Sequence, residues 1–288
     1  MTTPRISFEF FPPQTLDASF QLWDATRLLA PLNPNFVSVT YGAGGTTRQL
    51  THEAVTAIGG HYGLNVAAHL TCVEATRADT LDIAHAYGDA GVHDIVALRG
   101  DAPKGSDGFT PYPDGFANSV ELIEALADAG RFNIRVGAYP EAHPEAADLA
   151  ANVAWLKRKL DTGASSAITQ FFFEAETFFR FRDACTKAGI DAPIIPGILP
   201  ITSWEGAKRF SRRCGAQVPG WLDDAFTTAL RDGREELLAI SVATELCDDL
   251  IQGGVEDLHF YTLNRPHLTR DICFALGIAP EVSLQNVA

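Results

Sequence analysis

Short apolar runs and longer amphipathic segments alternate eight times along this chain, and that rhythm narrows the possible folds more than any other feature. The runs are the one inside Arg5–Pro13 (RISFEFFPP), then Phe36–Thr40, Val66–Leu70, Asp94–Leu98, Ile134–Tyr139, Ala167–Phe172, Ala192–Ile198 and Leu258–Thr262. Each has the length and apolar continuity of a strand buried on both faces. Helical periodicity fills the gaps at Ser19–Ala30, Thr47–His61, Ala78–Ala90, Ser119–Ala129, Glu145–Asp161, Ala175–Ala188, Ser203–Arg213 and Trp221–Gln252, with a last helix after Arg265. Glu145–Asp161 is the clearest of these. Leu149, Val153, Leu156 and Leu160 share one face, and Lys157, Arg158 and Lys159 gather in the last turn, where cations suit the helix dipole. A doubly wound open sheet alternates in the same way. Eight β-α units in 288 residues, near the ~250 typical of a closed barrel, favour the α/β class and a single (β/α)8 TIM barrel over residues 1–288. No Pro/Ser-rich linker or change of composition divides it. The long Lys104–Gly115 loop, rich in Gly, Pro and Asp, has the length of a functional loop.

A formal charge of −14 argues against nucleic acid or an anionic membrane as partner, so any anionic ligand must meet a local basic pocket. The five cysteines are odd in number, widely spaced and free of any C-x-x-C pair, which fits reduced thiols and speaks against zinc. The N-terminus has no apolar signal core and no stretch of 18 uninterrupted apolar residues occurs, so a cytoplasmic location is expected.

Within RISFEFFPP a carboxylate, Glu9, sits in the middle of an aromatic run that two prolines end at once. Glu is almost never fully buried without a partner, and burial raises its pKa toward the range where it holds and donates a proton. Glu9 is therefore a candidate general acid. The alternative is a structural carboxylate bonded to an Arg or to backbone N–H groups.

In such a barrel the reactive groups come from the C-terminal ends of several strands. Those ends carry Glu9, Thr40 with Tyr41, His69, Arg99 with Asp101, Tyr139 with His143, Gln170, and Arg265 just past the eighth strand. Singly each has a plainer reading: His69 as a satisfied core histidine, Gln170 bonded to backbone, Arg99 and Asp101 paired with each other. Their convergence on one rim is the signal. Gly42, Gly44 and Gly45 approach a dinucleotide fingerprint, but Thr47 stands where the third glycine belongs, and no GxxxxGK phosphate loop exists.

The blocks FEFFPP, FVSVTYGAGG, AAHLTC, IVALRGDAP, AYPEAHPEA, LKRKLDTGA, AITQFFF, IIPGILPI and DLHFYTLNR, in this order, resemble the bacterial methylenetetrahydrofolate reductase family across residues 5 to about 276. The resemblance implies a (β/α)8 barrel that binds FAD without a Rossmann turn and acts as a homo-oligomer. It matches Glu9 to the catalytic acid. Thr40, Tyr41, Ala43, His69, Arg99, Gly100, Asp101, Phe116, Ala117, Tyr139, His143, Ala146, Asn152, Arg158 and Lys159 match flavin-contacting positions. Asp101 and Gln170 match pterin-holding positions, Phe178 and Arg265 substrate-side positions, and Phe210 an aromatic that stacks on folate or nicotinamide. Asn152 and Trp155 stand where the family has Asp and Asn, Phe178 where it has Tyr, and Phe116-Ala117 where Tyr-Ala is usual. The chain ends before the S-adenosylmethionine-sensing domain of eukaryotic relatives, so no such regulation is expected.

The implied reaction reduces 5,10-methylenetetrahydrofolate to 5-methyltetrahydrofolate with NADH or NADPH. Glu9 would protonate the bridging nitrogen distal to the pterin, Asp101 would favour the cationic iminium, and Arg158 and Lys159 would pair with the FAD pyrophosphate. A metal-assisted barrel hydrolase or aldolase using Glu9, His69, Asp101 and His143, and a non-catalytic flavin or folate binder, are the other readings.

Overall fold

The computed structural model describes residues 3–41, 48–102, 105, 108–141, 143 and 145–280. Its strands are β1 (Arg5–Phe10), β2 (Phe36–Val39), β3 (Val66–Thr71), β4 (Asp94–Leu98), β5 (Asn133–Ala138), β6 (Ser166–Thr169), β7 (Ile194–Ile195), β8 (Gly197–Ile198) and β9 (Asp257–Tyr261). All pairings are parallel, in the order β7–β6–β5–β4–β3–β2–β1–β9–β8. The helices are α1 (Leu16–Leu29), α2 (Arg48–Tyr62), α3 (Arg77–Asp89), α4 (Ser119–Asp128), α5 (Leu149–Asp161), α6 (Ala175–Lys187), α7 (Trp204–Cys214), α8 (Gly220–Arg231), α9 (Glu235–Gln252) and α10 (Pro266–Ala275).

The expected seventh strand is present as two halves, because Pro196 has no N–H to give the ladder. β7 pairs with β6 on one side of the break and β8 with β9 on the other, and this exchange closes the barrel. Side-chain and carbonyl groups cover the gap: Gly197 N donates to Thr169 Oγ1 at 2.9 Å, and His259 N donates to Pro196 O at 3.0 Å. Gly197 is required there, since a Cβ would lie 2.2 Å from Thr169 O and 2.5 Å from the Tyr261 ring.

The two-residue period of the strands sorts the core into two layers. Ile6, Phe8 and Phe10 of β1, Val37 and Val39 of β2 and Leu258 and Phe260 of β9 join the shell between sheet and helices. Phe36, Ala67, Val96, Ile168 and Ile195 form a separate cluster inside the barrel. Ser7 and Glu9 share the parity of this inner set. Lower in the barrel, buried Arg135 pairs with Asp94 at 2.8 Å, donates to Ser166 Oγ at 3.1 Å and lies 4.1 Å over the Phe36 ring.

Two departures from the sequence reading have a clear local cause. α5 begins at Leu149, not Glu145, because Asp148 caps it by accepting from Ala151 N; Glu145 stays in the preceding loop. The single pattern expected over Trp221–Gln252 is two helices, α8 and α9, separated where Gly233 takes a φ of 65°. No described helix is long and apolar enough to cross a membrane. The glycine-rich segment after β2, with Ala43 and Thr47, lies outside the described residues, as do Pro103, Lys104, Ser106 and Asp107.

Candidate active site

Glu9 is the penultimate residue of β1, and its side chain, 14% exposed, meets two imidazoles. His69 Nε2 from β3 lies 3.3 Å from Glu9 Oε2, and His259 Nε2 from β9 lies 3.9 Å from the same oxygen. The register places Ser7 opposite His259. Ser7 Oγ is 2.8 Å from His259 Nδ1 and donates to Leu258 O at 3.2 Å. With that hydroxyl committed to the carbonyl, His259 Nδ1–H donates to Ser7 and Nε2 turns a lone pair to Glu9. A lone pair facing a carboxylate is repulsive unless a proton lies between them, so the cluster is built to hold one. Phe36 stacks on the far face of His259 at 5.5 Å and fixes its plane.

Burial acting alone would raise the Glu9 pKa, as the sequence reading expected. The structure reverses that direction: burial pushes the carboxyl up, but the His259 and His69 imidazoles set against it outweigh burial and bring it down to about 2. Burial in turn pushes His259 below the ordinary imidazole range, against the pull of Glu9. The resting cluster is therefore a Glu9 carboxylate facing imidazole with one proton held between them.

Beside it, at the ends of β4 and β5 and against α5, opens a cavity of about 520 Å³. Of the residues matched to flavin, Arg99, Gly100, Asp101, Ala117, Tyr139, His143, Ala146, Asn152 and Lys159 line it, together with Glu145 and Trp155. Arg99 does not pair with Asp101. Its guanidinium donates to both oxygens of Glu145, at 2.6 and 2.9 Å, an interaction that raises its own pKa. Lys159 is buried, and its Nζ makes one hydrogen bond among the described residues, to Gly137 O at 2.8 Å. Burial, with a smaller push from the Arg99 charge, lowers its pKa to about 8. Burial also raises Tyr139 to about 12, with the Asp101 charge adding to it, and Tyr139 meets His143 edge-on at 4.5 Å.

Other matched residues stand elsewhere. Thr40 and Tyr41 follow β2, and His69 lies within β3. Exposed Arg158 lies 5.5 Å over the Trp155 ring. Two matched residues do not line this cavity. Phe116 is 1% exposed and lies beneath the Arg77 guanidinium rather than in the cavity. Phe178 is also 1% exposed and stacks on Phe172 in the outer shell, because its position on the buried stripe of α6 turns it toward the sheet. Gln170 Oε1 accepts from Phe171 N, Phe210 of α7 stacks on Phe171 at 5.1 Å, and Arg265 donates to Thr202 Oγ1 at 3.3 Å beside a second cavity of about 470 Å³. Ser7, His259 and Glu145 escaped the sequence reading; the shared parity of Ser7 with Glu9 was the signal for the first two.

A parallel β/α barrel with an acid–imidazole cluster and an adjoining cation-lined cavity at the C-terminal ends of its strands is the framework of a barrel enzyme. The family model described as methylenetetrahydrofolate reductase matches residues 2–277. The chain is 44% identical over 277 residues to the 5,10-methylenetetrahydrofolate reductase of Salmonella typhimurium, covering 96% of this chain and 92% of that protein. Identity to the Escherichia coli protein of the same name is also 44%, over 278 residues, covering 96% and 92%. To methylenetetrahydrofolate reductase (NADH) 1 of Arabidopsis thaliana it is 34%, covering 97% of this chain and 49% of the plant protein. The chain belongs to the methylenetetrahydrofolate reductase family. A solved Clostridium thermocellum protein, described as binding two copies of 5-methyl-5,6,7,8-tetrahydrofolic acid, shares the fold with a TM-score of 0.61 at 14% identity, covering 96% of this chain and 95% of its own.

Proposed function

We propose that this chain reduces 5,10-methylenetetrahydrofolate to 5-methyltetrahydrofolate with NADH or NADPH, using FAD, and that Glu9 supplies the proton. The observation that carries the reading is the Glu9–His69–His259 cluster, with β3, which carries His69, paired to β4, whose end lines the cavity that holds Arg99 and Lys159. The donor set of that cavity suits FAD: a buried ammonium with a single protein acceptor among the described residues and a guanidinium in the same lining are what a diphosphate requires. Lys159 and Arg99 would hold the diphosphate, and Asn152 and Trp155 the adenosine end. When bound, FAD supplies the carrier that takes hydride from the nicotinamide and passes it to the methylene carbon.

The protein's own task is the proton. Transfer from Glu9 to the bridging nitrogen distal to the pterin lets the carbon–nitrogen bond break with its electron pair going to that nitrogen. The methylene carbon is left as an iminium on the pterin side, open to hydride. The proton to be transferred is the one that lies between Glu9 and the imidazole facing it. Substrate covering the mouth would exclude water from Glu9, and in a dry site carboxylic acid with neutral imidazole is favoured over carboxylate with imidazolium, which leaves that proton on Glu9. Asp101, at the end of β4, places negative charge beside the developing cation.

Glu9→Gln tests the assignment. It is expected to lower folate reduction by at least about a hundredfold, within the range of general acid catalysis, while lowering NADH oxidation by menadione far less. Equal loss of both activities would remove Glu9 from the acid role.

A further inference from the structure

Past the last backbone pair of β1 with β9, Glu9 with Tyr261, the two chains separate toward the mouth. Two residues keep them together. Thr262 donates to Glu9 O from both its N, at 3.3 Å, and its Oγ1, at 2.6 Å. The Asn264 side-chain amide then meets the Phe11 backbone in both directions: Oδ1 accepts from Phe11 N at 2.9 Å and Nδ2 donates to Phe11 O at 3.0 Å. An amide side chain thus takes the place of the next backbone rung. Both residues are buried, and Asn264 N donates to Thr262 Oγ1 at 3.2 Å, which links the two clamps.

The local conformation is costly. Leu263 and Asn264 have φ values of 51° and 54°, in the left-handed region that L side chains rarely adopt. Asn tolerates it; Leu has no such excuse. Such outliers persist only when the surroundings hold them, and they concentrate at functional sites. Pro12 and Pro13, which follow at once, have no N–H to add a rung on the β9 side, so beyond the β2 pairing, where Thr40 N donates to Phe10 O at 2.9 Å, Phe11 is held by Asn264.

We infer that Asn264 is a positioning residue for the proton-transfer step: by binding both polar groups of Phe11 it holds the end of β1 so that the Glu9 carboxyl stays against His69 and His259. The inference rests on the proposed acid role of Glu9. A fray of β1 would move the carboxyl against partners on β3 and β9 that remain in place.

Asn264→Gly keeps the left-handed backbone at no steric cost and deletes both hydrogen bonds. Asn264→Asp keeps the acceptor for Phe11 N but turns an oxygen toward Phe11 O, so it retains one half of the clamp. For Asn264→Gly, the ratio of folate reduction to NADH–menadione oxidation is expected to fall at least about tenfold, the scale of a misplacement below 1 Å. The Phe11 amide, followed by hydrogen exchange, is expected to lose protection. For Asn264→Asp the ratio should fall while Phe11 keeps its protection, and this variant carries the test if the glycine variant does not fold. An unchanged ratio in either folded variant overturns the inference, as does unchanged protection in Asn264→Gly. Glu9→Gln run alongside separates the two claims. If it preserves the ratio, the acid role itself falls. If it lowers the ratio and Asn264→Gly does not, only the positioning role falls.

Discussion

Replacing Lys159 with Met should make the cofactor-free protein more stable and its hold on FAD weaker. Lys159 is buried, and its pKa drops from 10.5 to about 8, chiefly through burial. At about 1.4 kcal/mol per unit, that displacement corresponds to roughly 3 kcal/mol of unfavourable ionisation in the folded state. Met fills the same volume without the charge. About 1–2 kcal/mol returns as cost because Gly137 O loses its donor. The net gain at pH 7 is roughly 1–2 kcal/mol, or about 2–4 °C in Tm for a chain of this size. The sign follows from linkage. Between about 8 and 10.5 the unfolded chain binds more protons at this position than the folded one, so the parent gains stability as pH rises through that window. Lys159→Met should not show that rise. FAD affinity moves the other way, falling about 10- to 100-fold at pH 7 through loss of a charge-assisted contact, and in the parent declining as pH passes above about 8. Calorimetry of the apoprotein at two pH values and titration of flavin fluorescence measure both quantities. A cofactor-free Lys159→Met protein less stable than the parent at pH 7, or one that binds FAD equally well, would refute the reasoning.

Further perturbations test the frame around the site. Asp94→Asn leaves Arg135 charged and unpaired inside the barrel and should cost about 3–5 kcal/mol in urea unfolding; an effect below 1 kcal/mol would mean that the pair is not dry. Gly197→Ala forces a methyl against Thr169 O and Tyr261 at the closing seam, and the expected result is loss of soluble protein, whereas a normally folded alanine variant would show that the seam can open.

Much of this was readable along the chain. The eight-fold alternation announced the barrel because period-two and period-3.6 patterns are local properties of each segment. Glu9, Arg99, Asp101, Tyr139, His143 and Gln170 stood out at strand ends, where a parallel barrel places its reactive groups. The split of the seventh strand was hidden, since Pro196 inside an apolar run does not reveal which neighbour each half will pair with. Phe116 and Phe178 illustrate the same boundary: an aromatic near the mouth in sequence can turn into the shell, and only packing decides which way it faces.

Composition and periodicity by themselves determined the barrel and the rim on which polar groups gather. Only the tertiary structure decided who answers whom: that Glu9 meets His69 and His259, that Arg99 takes Glu145 and not Asp101, and that Lys159 is buried beside a cavity. The reason is one of range. Periodicity is set by neighbours three or four residues apart, whereas a carboxylate's charge state depends on burial and on imidazoles carried by β3 and β9, of which β9 lies at the other end of the chain.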